Sequence, residues 1–127
     1  MNENNSKRQT VAVLGASETP ERYSHRAVLE LLKHGHEVVP VHPTTAEICG
    51  IKVEARLDKI EKEIDTLTLY VNPVHLAEVE SQIVTLNPKR IIFNPGTEDR
   101  EIMQRLSQKK IEIVQACTLV MLATGQF

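Results

Sequence analysis

The 127-residue chain has no tryptophan, two tyrosines and two phenylalanines. So few flat side chains leave little for nucleobases to stack on. A formal net charge of −2 gives no global field for a phosphate backbone. Nucleic acid is therefore not an expected partner. Cysteine is as scarce: Cys49 and Cys117 form neither a Cys-x-x-Cys pair nor part of a ligand cluster, which excludes the usual metal spacings and fits a reducing cytoplasm. No apolar run is long enough to span a bilayer and nothing reads as a signal peptide, so no membrane is expected either. Internal repeats and low-complexity tracts are also absent.

What is present suits one globular domain with a modest core: 41% hydrophobic and 25% charged residues. A second, catalytic domain does not fit. Residues 1–9 are polar and without periodicity, and are expected to form a flexible N-terminal segment ahead of a single domain over 10–127.

Along that domain the hydrophobic pattern switches period repeatedly. Val11 to Leu14 is a continuous apolar run that ends at Gly15, as a strand buried on both faces should. A helix follows, capped at Ser24, with Ala27, Val28, Leu31 and Leu32 on one face and Lys33-His34-Gly35 as its stop. Glu37 to Val41 is a second strand ending at His42-Pro43. The stretch from Thr44 to Lys62 is less regular, with an extended piece expected at Cys49 to Val53. Thr66 to Val71 reads as a strand, and Asn72-Pro73 as an N-cap followed by proline at the first helical position. Leu76, Val79, Ile83 and Leu86 give that helix its core face. Arg90 to Phe93 is the next strand, and Asn94-Pro95-Gly96-Thr97 turns into a helix bearing Ile102, Met103 and Leu106. Ile111 to Val114 and a closing helix over Thr118 to Ala123 complete the order.

Strands alternating with helices call for an α/β fold: a three-layer, doubly wound parallel sheet of about five strands, Rossmann-like, with expected order 3-2-1-4-5. Ligands of such sheets sit beyond the carboxyl ends of the strands, where strand order reverses. Four loops should meet there: Gly15-Ala16-Ser17, His42-Pro43-Thr44, Asn72-Pro73 and Asn94-Pro95-Gly96. They are small, proline-rich or amide-bearing, and suit binding better than chemistry.

The first of these loops, in Thr10-Val-Ala-Val-Leu-Gly-Ala-Ser-Glu-Thr-Pro-Glu-Arg-Tyr-Ser24, keeps the strand-turn-helix form that aims backbone N–H groups at an anion. It lacks the later glycines of the dinucleotide fingerprint Gly-x-Gly-x-x-Gly, having Ser17 and Pro20 instead. The second strand ends in Val41-His42-Pro43-Thr44, with no Asp or Glu for ribose hydroxyls and no Arg for a 2′-phosphate. An NAD(P)-dependent oxidoreductase is thus disfavoured.

The Gly-Ala-Ser-x-x-Pro-x-Arg-x-Ser pattern of Gly15 to Ser24, together with Val-x-Pro after the second strand and Asn-Pro after the third, closely resembles the stand-alone coenzyme A-binding domain family. That family is similar to the CoA-binding domain of the succinyl-CoA synthetase alpha subunit. The resemblance runs from about Thr10 to the C-terminus. It implies a Rossmann-like domain holding coenzyme A or an acyl-CoA by its adenosine and phosphates. Carried over, Gly15, Ala16, Ser17 and Glu18 approach the phosphates, with Pro20, Arg22 and Tyr23 completing that wall and Ser24 at the helix start. His42, Pro43 and Thr44 face the nucleotide, Val71, Asn72 and Pro73 flank the adenine, and Asn94, Pro95 and Gly96 close the far side. The chain departs from the family at that fourth loop, where many members have a Gln-x-Gly type sequence. Glu98 and Asp99, in the first turn of the next helix, should keep phosphate away from it.

Since the phosphohistidine and ATP-grasp parts of the ligase have no room here, the resemblance points to a non-catalytic cytoplasmic protein: a sensor, a carrier or a regulatory subunit. A nucleotide-dependent enzyme, either an NAD(P) oxidoreductase or an acyl-CoA-using enzyme completed by a partner, and an interaction module without ligand are the alternatives. The partner is a small-molecule CoA ligand, with a homo-oligomer or another protein left open. No catalytic or metal residues are assigned. His42 is expected to bind by ring contact rather than by acid–base work, His25, His34, His36 and His75 to be surface residues, and Cys117 to be a small buried hydrophobe or a partner for the pantetheine thiol.

Overall fold

The computed structural model describes residues 7–127. Five parallel strands form the sheet: β1 (Thr10–Leu14), β2 (Glu37–Val41), β5 (Thr66–Leu69), β6 (Arg90–Phe93) and β7 (Glu112–Gln115), in the order β2-β1-β5-β6-β7. Helices α1 (Tyr23–Lys33), α2 (Pro73–Leu86), α3 (Arg100–Ser107) and α4 (Thr118–Ala123) cover it. Between β2 and β5 lie a small antiparallel hairpin, β3 (Glu47–Ile48) with β4 (Ile51–Lys52), and a 3-10 turn at Leu57–Lys59. The expected α/β class, its parallel sheet and its alternation of elements are those of the structure. The expected extended piece at Cys49 to Val53 is part of the hairpin. For the flexible segment expected over 1–9, residues 1–6 lie outside the described residues, while Gln9 donates its N–H to His36 Nδ1 at 3.0 Å.

The strand order differs from the one expected. The third sheet strand, β5, lies between β1 and β6 rather than outside β2. A contact between residues far apart in sequence accounts for it. Thr10 N–H donates to Asp65 Oδ2 at 2.8 Å and Asp65 N–H returns to Thr10 O at 2.9 Å, fastening the start of β5 to that of β1. Burial agrees, since all four residues of β5 are buried, as a central strand requires. The free edges fall to β2, where Glu54 bridges onto Val41, and to the more exposed β7.

The sheet divides the core in two. Ala12, Leu14, Leu67, Leu69, Ile91 and Phe93 pack with α2 and α3 on one face, while Val11, Val13 and Val38 pack with α1, the hairpin and Leu122 on the other. Thr66 and Thr68 break the apolar pattern yet are buried, because each hydroxyl is bonded: Thr66 to Gln9 Oε1 at 2.6 Å, Thr68 to Thr118 Oγ1 at 2.8 Å. Helix α2 begins as expected, with Asn72 Oδ1 accepting from His75 N–H at 2.8 Å and Pro73 as the first helical residue.

Candidate functional site

With β2 and β5 on either side of β1, the strand order reverses beside the end of β1, which is where an open α/β sheet leaves a crevice. A cavity of about 420 Å³ opens there, walled by Leu14 to Thr19, Arg22, Val41, His42, Pro43, Thr45, Val71 and His75. A shallow recess of about 260 Å³ continues from it along Gly15, Glu21, Arg22, Tyr23, Ser24 and Tyr70. Beyond Tyr23 and Tyr70 lies a third cavity of about 460 Å³, bounded also by Asn94, Pro95, Cys117, Leu119 and Val120. Gly15 and Arg22 border both of the first two and Tyr23 and Tyr70 both of the last two, so the three adjoin in a row, a groove interrupted by side chains across the carboxyl ends of the strands.

The loop after β1 is built around Gly15, whose φ of +85° and close approach to the Tyr70 carbonyl exclude a side chain. Its N–H, and that of Ala16, are both spent on Val41 O, at 3.1 and 3.3 Å, so this pair ties the loop to β2 instead of facing a ligand. Ser17 Oγ accepts the Thr19 N–H at 3.0 Å, closing a turn. The Ser17 and Glu18 N–H groups have no hydrogen-bond partner among the described residues, and they stand with the amino end of α1 on the cavity wall. Of the four loop N–H groups, those of Ser17 and Glu18 are therefore the ones left without an internal partner among the described residues.

Helix α1 starts at Tyr23, and its N-cap is Arg22 in extended conformation with no side-chain cap bond. The cap expected at Ser24 is corrected by this: Ser24 lies inside the first turn and is buried. Asp99 likewise is itself the N-cap of α3, accepting from Ile102 N–H at 3.0 Å, rather than a first-turn residue. Arg22 is exposed and belongs to both the main cavity and the recess.

His42, after β2, accepts two backbone N–H groups on Nδ1, from Thr44 and Thr45, each at 3.1 Å. The neutral ring therefore carries its proton on Nε2, a single donor beside the cavity. Thr44 serves this turn and lies outside the walls of the three cavities, as do Pro20, Asn72, Pro73 and Gly96. Asn94 is buried with its amide fully engaged. Nδ2 donates to Thr68 Oγ1 at 2.7 Å and Leu69 O at 2.8 Å, while Oδ1 accepts from Thr118 N–H at 2.8 Å. The side chain clamps β5, β6 and α4 together, and only its outer surface meets the groove.

Sequence reasoning left out Thr19, Thr45, His75, Glu21 and Tyr70, all on the groove walls. Tyr70 was the legible one, standing where the β5 pattern runs into Asn72-Pro73. Burial pushes its phenol up to about 12. Two histidines expected at the surface are not. His36 is buried against Phe127, with ring centroids 5.1 Å apart. His25 is half-buried, its Nδ1 2.8 Å from Ser17 O and its Nε2 3.8 Å from Cys49 Sγ. A carbonyl can only accept, so Nδ1 bears the proton and His25 braces the loop after β1. Burial holds the Cys49 thiol above its ordinary value, so it stays protonated at neutral pH.

A loop of this kind between the first strand and first helix of a doubly wound sheet, at the switch point, defines a Rossmann-like α/β domain. The profile of the CoA binding domain matches residues 9–123, and the chain belongs to that family. A Bacillus subtilis (strain 168) protein known as uncharacterized protein YneT is 29% identical over 111 residues, covering 87% of this chain and 82% of its own. The crystal structure of an uncharacterized protein superposes with a TM-score of 0.89 at 40% identity, covering 95% of this chain and 99% of that one. A dinucleotide-forming acetyl-coenzyme A synthetase 1 of Candidatus Korarchaeum cryptofilum, solved with phosphate and ADP, shares the fold at a TM-score of 0.74 and 19% identity. The likeness there covers 85% of this chain and 25% of the larger one.

Proposed function

We propose that this protein binds coenzyme A or an acyl-CoA in the groove at the carboxyl ends of β1, β2 and β5. It does so as a non-catalytic cytoplasmic sensor, carrier or regulatory subunit, with a second copy or another protein to read the bound state. The observation that carries the reading is the composition of one wall. Ser17 and Glu18 N–H groups, the amino end of α1 and the Arg22 guanidinium stand together, opposite a β2 end, Val41-His42-Pro43, that has no carboxylate for ribose. Phosphate is favoured there by N–H dipoles and by a charge-assisted donor. His42 Nε2–H supplies one further donor on the nucleotide side. Membership of the CoA-binding family agrees with this use of the loop. The Glu18 side chain is exposed to solvent at the edge of the same wall.

Calorimetry with CoA, acetyl-CoA, NAD and NADP tests the reading. CoA should bind well below 1 mM, a threshold worth about −4 kcal/mol, and more tightly than either dinucleotide. No CoA heat at that concentration would overturn it. Because Arg22 stands where the main cavity meets the recess, Arg22→Ala should weaken CoA and dephospho-CoA alike, by roughly tenfold or more for a charge-assisted bond. A loss confined to CoA would move Arg22 from the pyrophosphate to the 3′-phosphate.

A further inference from the structure

We infer that the cavity beyond Tyr23 and Tyr70 receives the sulfur end of the ligand, and that Cys117 exchanges disulfide with it. The inference rests on the reading of the groove as a coenzyme A site. Its starting point is the contrast between the two ends of the groove. The first cavity is bordered by N–H donors, the Arg22 guanidinium, the imidazoles of His42 and His75 and the Glu18 side chain, whereas the third is bordered by Tyr23, Tyr70, Pro95, Leu119, Val120 and the internally bonded Asn94, with Cys117 in the wall. Phosphates belong in the first, and an uncharged arm in the second. At about 460 Å³ the cavity has the size of a small-molecule site, for which about 300–1,000 Å³ is usual.

The two ends adjoin, since Tyr23 and Tyr70 wall both the third cavity and the recess, and Gly15 and Arg22 wall both the recess and the first cavity. One molecule with a pyrophosphate at Ser17 and a long arm can therefore reach Cys117. Two features of the wall bear on the arm that enters it. The Tyr70 hydroxyl is buried beside Thr118 and Thr68 and closed off from the cavity, so Tyr70 offers an arm its ring and keeps that wall apolar. Cys117 is a free thiol, partly exposed, and its backbone is fixed: Thr118 N–H is held by Asn94 Oδ1 at 2.8 Å and Thr118 Oγ1 by Thr68 Oγ1 at 2.8 Å.

The co-reactant is the disulfide form of coenzyme A. The Cys117 thiolate, its proton lost to water, attacks one sulfur of that disulfide. The sulfur–sulfur bond of the reagent breaks as the bond between Cys117 Sγ and the seated sulfur forms. The second thiolate leaves with the electron pair and takes up a proton, so no other oxidant enters.

Intact-protein mass spectrometry of the full chain with CoA disulfide reads the step, with calorimetry of reduced CoA in parallel. A seated ligand presents its sulfur at an effective concentration in the millimolar range. The rate should therefore saturate with CoA disulfide and exceed that with an equal concentration of glutathione disulfide by at least tenfold. One adduct is expected, mapped to Cys117, kept in Cys49→Ser and lost in Cys117→Ser. Val120→Trp, which keeps the thiol but obstructs the cavity, should slow it at least tenfold while circular dichroism stays native. Modification of Cys49 instead, a rate linear in reagent and no faster than with glutathione disulfide, or no adduct in a protein that binds reduced CoA overturns the inference and leaves the CoA site standing. No adduct together with no CoA heat overturns both.

Discussion

Gly15 is the residue through which sequence and site are joined most directly. Its φ is +85°, and a Cβ there would lie 2.5 Å from the Tyr70 carbonyl oxygen and 3.0 Å from Val71 Cγ1. Both contacts belong to the loop after β5, so an added methyl would push apart the two strands that frame the groove. Gly15→Ala should cost about 2–4 kcal/mol, the sum of left-handed strain and overpacking. Gly50→Ala makes the comparison: φ there is +77° with nothing within 4 Å, so about 1 kcal/mol of strain alone is expected. Urea midpoints of the two variants check this, and equal losses would mean that the contact with Tyr70 yields freely. The glycine was legible in the sequence because an apolar run ended on it. The neighbouring roles were not. Ser17, Ser24 and His25 all read as polar residues near a helix start, and which one caps, which is buried and which braces the loop depends on where Arg22 begins the helix. A shift of a single residue exchanges those roles, and neither periodicity nor composition resolves it.

At the scale of elements, the alternation of strands and helices was legible because each strand is a short apolar run and each helix carries a 3.6-residue stripe. The strand order was not, since it depends on Asp65 binding Thr10 across 55 positions. The Thr-Leu-Thr-Leu run of β5 also reads as half-exposed until the buried partners of its hydroxyls are known. The opposite end of the same strands holds a second arrangement that local sequence conceals. His36, after α1, accepts Gln9 N–H on Nδ1 and packs on Phe127, whose ring also lies under the Arg90 guanidinium at 4.7 Å from its centroid. Burial, then the nearby charges of His34, Arg90 and Arg8, hold His36 below its ordinary 6.5. A base with a lowered folded value binds fewer protons folded than unfolded. Its contribution to stability is therefore complete above about pH 6.5 and is lost as pH falls from there toward the folded value, by at most about 1.4 kcal/mol per unit. Glu37, bonded to Lys62, and Asp65, bonded to Thr10 N–H, are lowered carboxylates, and their contributions disappear only in a more acidic window. Urea midpoints between pH 7.5 and 5.5 should therefore fall in the native chain and stay level in His36→Asn. An equal fall in both would assign the titration to another group.

At the scale of the whole molecule, the groove is the place where both halves of the core meet. Its floor is the ends of β1 and β5, its walls are α1 and the β2 loop on one side and the β5 and β6 loops on the other, and the two apolar clusters lie on opposite faces of the sheet beneath it. A ligand filling it touches segments from Gly15 to Val120, so none of its contacts survives unless the whole sheet is assembled. Binding should then add directly to global stability instead of merely ordering a loop. Ligand at 100 times its Kd stabilises by about 2.7 kcal/mol. With an unfolding entropy of roughly 2.1 cal/mol/K per residue, that corresponds to a rise in Tm of roughly 10 °C for a chain of this length. NAD, lacking a match for the carboxylate-free β2 end, should raise Tm by no more than a fifth of that at the same concentration. The shift with CoA should shrink in Arg22→Ala. It should also shrink as salt is raised, because the wall proposed to hold the phosphates is partly exposed and charges there are screened over about 10 Å at 0.1 M. Differential scanning calorimetry over a range of CoA concentrations reads all three. A CoA shift no larger than that with NAD would make the groove a general nucleotide site. A shift confined to one minor transition would mean that the two halves of the core unfold separately.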